Sequence, residues 1–499
     1  LPVTMADQLS NTAAVVRAIL DGDTAKAVGG VDPADLTAVA DLLRHGDPLT
    51  IVLGRGSLAE SADLTVDAAA VLHDALPEAR FLPALRRSNV FGALDMGMAP
   101  GLLPGRVALD EGRDWYARHW SDVPAEPGFD ATGILTAAAD GHIDTLVLLG
   151  ADPIVDFPDA DLAARALAGA RTVIALDRFV TESVAKADVV LPVAGFAECD
   201  GTTTNLEGRV SKVAKRVTPP GTARSDWTIA VELADRLGTD LGFESVDAIW
   251  SEIERLSPVH AGLTGSVLAQ PANADGVLAP PAEASVTLSR STEAVGADAS
   301  DDETAADPDQ PPADPDAPTD APATDEAVDP AESETDADAV EAVAADVEAE
   351  SETDDDTAPT ADDPSEDPSA ATTAARPKPM SFVAPEPVSE PGPVDAYALR
   401  LVTRRKLYDQ GTLLANSPSL AELGPGARVV LHPVDFEKIG VPAGDEVRLT
   451  SPSGAVVLPL DPDSSVPRGR AVVLINQGAR ITDLLDATSA SIDVRIEVP

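Results

Sequence analysis

Thr145-Leu-Val-Leu-Leu149, Thr172-Val-Ile-Ala-Leu176 and Asp188-Val-Val-Leu191 are three short apolar runs separated by stretches with helical patterning. A continuous apolar run of about five residues suits a strand buried on both faces, which is the pattern of a parallel sheet covered by helices. The first run ends in Gly150-Ala-Asp-Pro153 and leads into a helix expected to reach Leu167; a short helix is expected between the second and third. Upstream, Leu49-Thr-Ile-Val-Leu53 has the same character, ends in Gly54-Arg-Gly-Ser57 and precedes a helical pattern to about Leu76. Downstream, Ser225 to Leu237 is amphipathic, with a Ser in the cap position and Gly238 as its stop. Residues 1–258 therefore read as an α/β domain built on a parallel, Rossmann-like sheet.

The last hundred residues change character. Leu399–Thr403, Arg428–His432, Glu446–Ser451, Val456–Leu460 and Ala471–Ile475 are strand candidates, with turns supplied by Pro442-Ala-Gly-Asp445 and Pro452-Ser-Gly454. They predict a small β-barrel domain over 395–499. Between the two domains, 259–394 reads as a linker. No Phe, Trp or Tyr occurs between Trp250 and Phe382, and residues 291–370 carry 29 acidic side chains and no Lys or Arg. Such a stretch buries too little apolar surface to offset the entropy of ordering, so it is expected to be a disordered, solvated spacer whose cleavage releases two folded pieces. An acidic interaction tail is the sharper alternative.

Bulk properties narrow the function classes. A net charge of −50 offers no basic stripe to phosphates, which argues against a nucleic-acid partner. No apolar run approaches the eighteen or so residues of a membrane span, so no direct membrane insertion is expected. The single cysteine, Cys199, leaves no partner for an internal disulfide and makes cysteine-ligated clusters and zinc sites implausible. The six histidines show no HExxH spacing. A chain that opens Leu1-Pro2-Val3 also reads as lacking upstream sequence.

Two glycine turns, Gly54-Arg-Gly56 and Gly150-Ala-Asp-Pro153, follow strands and precede helices. Phosphate binds in such places, but each also reads as a plain tight turn. Glu198-Cys-Asp-Gly201-Thr-Thr-Thr-Asn205-Leu-Glu207-Gly-Arg209 is dense in hydrogen-bonding groups and suits either a polar ligand or an internally bonded loop. Its carboxylates lack an adjacent His or Lys that would suggest acid–base work, and Cys199 reads as a packed, inert thiol. Arg209, Lys212, Lys215 and Arg216 form a basic knot, either a solvated strand face or a docking surface for a partner.

Three stretches resemble a known family. Ala187-Asp-Val-Val-Leu-Pro192 followed by Glu198 to Arg209 resembles the signature of the molybdopterin oxidoreductase superfamily. Leu146-Val-Leu-Leu-Gly-Ala-Asp-Pro153 with Asp156-Phe-Pro158 is similar to that superfamily's earlier cofactor-side loop. Leu85-Arg-Arg-Ser-Asn89 through Gly101-Leu-Leu-Pro-Gly105 resembles the version in the G subunits of actinobacterial NADH-quinone oxidoreductases. The terminal strands resemble the dinucleotide-binding barrel, notably Leu401 to Tyr408, Asp435 to Gly440 and Gly454.

The resemblance implies a molybdopterin-oxidoreductase fold in a carboxy-terminal, cluster-free, structural portion of the G subunit. That portion would support NADH-to-quinone electron transfer by a proton-translocating respiratory complex. It implies a cytoplasmic location, peripheral on the inner face of the membrane, with the other peripheral-arm subunits as partners and iron–sulfur clusters only upstream. By resemblance alone, the vestigial cofactor-side residues are Gly150, Ala151, Asp152, Pro153, Asp200, Gly201, Thr202, Asn205, Glu207, Gly208 and Arg209. No catalytic or metal-ligating residue is expected. Molybdopterin is not expected either, because Asp152, Asp156, Asp159, Glu198, Asp200 and Glu207 would repel its phosphates, with only Arg55 and Arg209 to compensate. The alternative is the cofactor-binding half of an active, formate dehydrogenase-like molybdopterin oxidoreductase.

Overall fold

The computed structural model describes residues 12–29, 31–46, 49–54, 57–85, 88–120, 122–279, 376–383, 392 and 394–499. Arg55, Gly56, Arg86 and Arg87, with most of the acidic segment and the expectation of its disorder, lie outside the described residues.

Two helices, α1 (Thr12–Asp21) and α2 (Pro33–His45), precede the first strand. Pro33 starts α2 where a missing N–H costs nothing, and Arg44 and His45 in its last turn oppose the helix dipole. Then β1 (Thr50–Leu53), α3 (Asp63–Ala75) and β2 (Arg80–Pro83) make a βαβ unit with parallel strands. Next come α4 (Val90–Asp95), a short antiparallel pair β3 (Leu102–Leu103) and β4 (Val107–Ala108), and α5 (Leu109–Ala117).

The second parallel sheet runs β5 (Thr145–Leu149), β6 (Thr172–Asp177) and β7 (Val189–Pro192), in that spatial order. Its core side is covered by α6 (Ala131–Ala139) and α8 (Ala160–Gly169), around Leu135, Leu146, Leu148, Ala163 and Val173. The helices meet at Gly169, where a Cβ would lie 2.3 Å from the carbonyl oxygen of Ala138, so glycine is required. The single helix expected from Pro153 to Leu167 is two: α7 (Pro153–Asp156) stops at Phe157-Pro158, and Asp159 caps α8 by accepting from the N–H of Leu162 at 2.8 Å. A proline inside the run supplies no donor, and the new cap starts a fresh helix. Burial on both faces is also not met: Val147 and Leu149 are each 54% exposed, because the covering helices lie on one side.

Beyond β7, an antiparallel sheet is built from β8 (Gly201–Thr204), β9 (Arg209–Val213) and β10 (Val277–Leu278). Helices α9 (Asp226–Arg236) and α10 (Val246–Leu256) lie between β9 and β10 in the chain. Ordered structure thus continues past 258, because β10 pairs with β9 and Ala279 donates to the Gly208 carbonyl at 2.9 Å.

The terminal strands β11 (Leu399–Arg404), β12 (Val429–Leu431), β13 (Glu446–Thr450), β14 (Ala455–Pro462), β15 (Arg470–Leu474) and β16 (Asp493–Glu497) close a barrel in the order β11-β15-β12-β14-β13-β16. Leu401, Leu431, Leu449, Leu458 and Leu460 fill it, each essentially inaccessible; burying one such side chain is worth about 2 kcal/mol. Closure leaves no edge to aggregate. The barrel is not a separate piece. Ala59 belongs to its core, the N–H of Leu58 donates to Thr403 Oγ1 at 2.7 Å, and Ile492 donates to the Ala59 carbonyl at 3.1 Å. Residues 57–61 therefore seat the barrel directly on the chain that follows β1.

Candidate functional site

The carboxyl ends of parallel strands are where α/β folds hold ligands. At the ends of β1 and β2 an open cleft of about 560 Å³ is lined by Leu53, Val66, Phe81, Leu85 and Ile475, with Ser57, Thr65, His73, Thr403 and Arg405 as its polar side chains. The barrel supplies Thr403 and Arg405, so the cleft exists only because the barrel packs against the loop after β1. Gly54 lines it too, is exposed, and a Cβ there would meet nothing within 4 Å. Sequence reasoning singled out the Gly54 turn but missed Thr403, Arg405 and Phe81, because their convergence depends on how the barrel docks.

The Gly150–Pro153 turn lies at the end of β5. Gly150 takes a positive φ of 58° and its N–H donates to the Leu176 carbonyl at 2.8 Å. Ala151 is exposed and Pro153 opens α7. Asp152 is buried, and its Oδ1 accepts from Ser183 Oγ at 2.5 Å and from the Ser183 N–H at 3.2 Å. Ser183 Oγ in turn accepts from the N–H of Ile154 at 3.1 Å. This small network locks the turn. Ser183→Ala would leave the Asp152 carboxylate with the backbone donor alone, at a cost of about 1–3 kcal/mol. Thermal unfolding should show a clear fall in Tm, and an unchanged Tm would mean water replaces the hydroxyl.

The stretch from Glu198 to Arg209, read as a loop, is largely a β-hairpin. Gly201 and Thr202 lie in β8, paired with Val213 and Lys212 of β9. Asn205 makes the turn: its side chain accepts from the N–H groups of Glu207 and Arg209, both at 2.9 Å, and Gly208 takes φ 81°. Arg209 donates to Glu207 at 2.8 Å and to the Gly276 carbonyl at 3.2 Å. The β-branched runs on either side of Asn-Leu-Glu-Gly were a hairpin signal in the sequence. Glu198 accepts from the N–H of Gly195 at 2.7 Å, and Asp200 from that of Lys215 at 3.1 Å. The Cys199 thiol donates to the Gly195 carbonyl at 3.4 Å; burial, then the nearby Asp226 and Asp200 carboxylates, raise its pKa, so it is no thiolate nucleophile.

A second, polar cleft of about 680 Å³ is lined by Asp200, Lys212, Lys215, Trp227 and Asp247 among others. Of the cofactor-side residues read from the sequence, Asp200 alone faces it; the Gly150 turn does not reach either cleft. Among the described residues no group of three or more His, Cys, Asp or Glu side chains could hold a metal ion, and no helix is long and apolar enough to cross a membrane.

Residues 25–236 match the family described as molybdopterin oxidoreductase, and 399–493 match the molydopterin dinucleotide binding domain. The chain is 32% identical over 296 residues to the NADPH-Fe(3+) oxidoreductase subunit alpha of Geobacter sulfurreducens, covering 58% of this chain and 35% of that one. It is 38% identical over 191 residues to an NADH-quinone oxidoreductase G subunit (number 2) of Rhizobium meliloti, covering 38% of this chain and 22% of that one. The chain thus spans about a third or less of these relatives. Acetylene hydratase from Pelobacter acetylenicus shares the fold, with a TM-score of 0.54 at 12% identity, over 99% of this chain and 70% of that one.

These domains point to a molybdopterin cofactor and overturn the expectation that none is bound. The physical argument behind that expectation fails in the structure. Asp152 and Asp159 accept backbone N–H groups and Glu207 pairs with Arg209, so these acids are engaged locally; Glu198 and Asp200 also accept backbone N–H groups but line the polar cleft. The β1–β2 cleft does not by itself fit such a group: its lining is mostly apolar, the Ser57 and Thr403 hydroxyls are buried and accept backbone N–H groups, and Arg405 pairs with Asp409 at 3.5 Å.

Proposed function

This chain carries molybdopterin oxidoreductase domains with homology to the G subunit of NADH-quinone oxidoreductase, and we propose that it forms the structural, pterin-fold part of such a protein in a multisubunit oxidoreductase. The observation that carries the reading is the seating of the barrel on the β1–β2 cleft, which places both family domains around one cavity. A molybdopterin group bound to the assembled protein would supply redox chemistry, with the chain contributing the fold around it. The chain catalyses nothing alone in this reading: it supports electron transfer from NADH to quinone by the assembled complex, on the cytoplasmic face of the membrane. In the same reading, cluster-bearing parts belong to the length that its relatives have and this chain does not span.

The basic knot is the docking candidate. Lys212 pairs with Asp247 at 3.3 Å across the rim of the polar cleft, and Lys215 lines the same cleft. Affinity purification of the tagged protein from its native cells is expected to recover flavin-bearing and cluster-bearing partners. Charge reversal at Lys212 and Lys215 should reduce that recovery at physiological salt. Recovery of the protein free of redox partners would remove the reading.

A further inference from the structure

We infer that residues 376–383 form a latch, fastened through Phe382, that ties the chain entering the barrel onto the α/β part. Two independent contacts carry this. The N–H of Met380 donates to the Arg106 carbonyl at 2.8 Å, a backbone bond to the β3–β4 turn. Farther along, the Phe382 ring lies 5.1 Å from the His73 ring of α3, and His73 lies 6.1 Å from Phe81 of β2. The three rings form a ladder at the mouth of the β1–β2 cleft, of which Phe382 is one wall.

The local sequence suits this role. Arg376-Pro377-Lys378-Pro379-Met380 places prolines two apart; both are half-buried while the residues between and beside them are exposed. Proline presets an extended backbone, so less entropy is lost when the segment docks. An aromatic contact of this kind stabilises the docked segment beyond the burial of its surface. On the other side of the acidic stretch the chain is anchored too, where β10 pairs with β9 and Ala279 bonds Gly208. Ala279 and Arg376 thus both end attachments to the same α/β part, and the step to the barrel begins only after the latch. This inference stands apart from the proposed function, since it uses no cofactor and no partner.

Amide hydrogen exchange on the full chain tests it. In the unaltered chain the Met380 amide should exchange at least about tenfold more slowly than an unstructured peptide. Phe382→Ala should remove that protection and Phe382→Tyr should keep it, with β13 amides equally protected in all three as the measure of intact folding. Unprotected Met380 in the unaltered chain overturns the latch, as does protection that survives Phe382→Ala. If Phe382→Ala lowers β13 protection as well, His73→Ala replaces it, because that change removes the ring partner from α3; the expected and overturning outcomes at Met380 are the same.

Discussion

Asp95→Asn is expected to lower the free energy of unfolding by about 3 kcal/mol, measured by urea denaturation at neutral pH. Asp95 ends α4 and is completely buried. Its Oδ1 accepts from Arg106 Nε, and its Oδ2 from a terminal guanidinium nitrogen of Arg106 at 3.4 Å. Arg106 holds a positive φ of 57°, a backbone state that a non-glycine residue keeps only when its surroundings enforce it. The pair therefore fixes the β3–β4 turn as well as neutralising a buried charge. Beside it, a Cβ on Gly105 would lie 2.3 Å from Pro258, so the turn has no room to move. Removing one partner of a buried pair costs about 3–5 kcal/mol. The Arg106 side chain is 36% exposed and can turn to water, which sets the expectation at the low end of that range. A loss below about 1 kcal/mol would show that the pair is solvated in practice.

None of this buried node was legible in the sequence. Asp95, Arg106, Ser257 and His260 come from three separated stretches, and nothing in their spacing announces that they meet. What was legible had a local cause. The apolar runs at 145–149, 172–176 and 188–191 became β5, β6 and β7 because β-branched and aliphatic residues in short runs between turns leave few other options. Five of the six barrel strands were read from the sequence; β16, Asp493-Val-Arg-Ile-Glu, was missed although it alternates polar and apolar residues as β13 does, because no Gly, Pro or Asn turn sets it off. The cofactor argument failed for a different reason. Counting acids near a loop assumes that they face outward, whereas Asp159 caps a helix and Asp152 clamps Ser183. Short acidic side chains beside turns bond backbone N–H groups readily, and a sequence does not show which way they point.

The same node makes the protein acid-sensitive through His260, which is fully buried. Its Nδ1 is 2.7 Å from Ser257 Oγ, its ring meets Trp250 edge-on at 5.5 Å, and its Nε2 has no hydrogen-bond partner among the described residues. Burial is the largest influence on its titration and pushes the pKa down; the Asp95 carboxylate pulls it up and the Arg106 guanidinium pushes it down, leaving it at about 4 against an ordinary 6.5. Folding thus favours the neutral ring. In the unfolded chain the same imidazole takes a proton below about pH 6.5, so stability from this group is complete above that pH. It falls as pH drops and is fully lost below about pH 4, where both states carry the proton. A shift of this size corresponds to about 3 kcal/mol. Other groups titrate over the same range, so the comparison is with His260→Gln, which can still bond Ser257 but cannot titrate. Between about pH 7 and pH 4 the unaltered protein should lose about 3 kcal/mol more unfolding free energy than the variant. Parallel pH profiles for the two proteins would show that water or a backbone shift reaches Nε2, and that the buried ring accepts its proton without penalty.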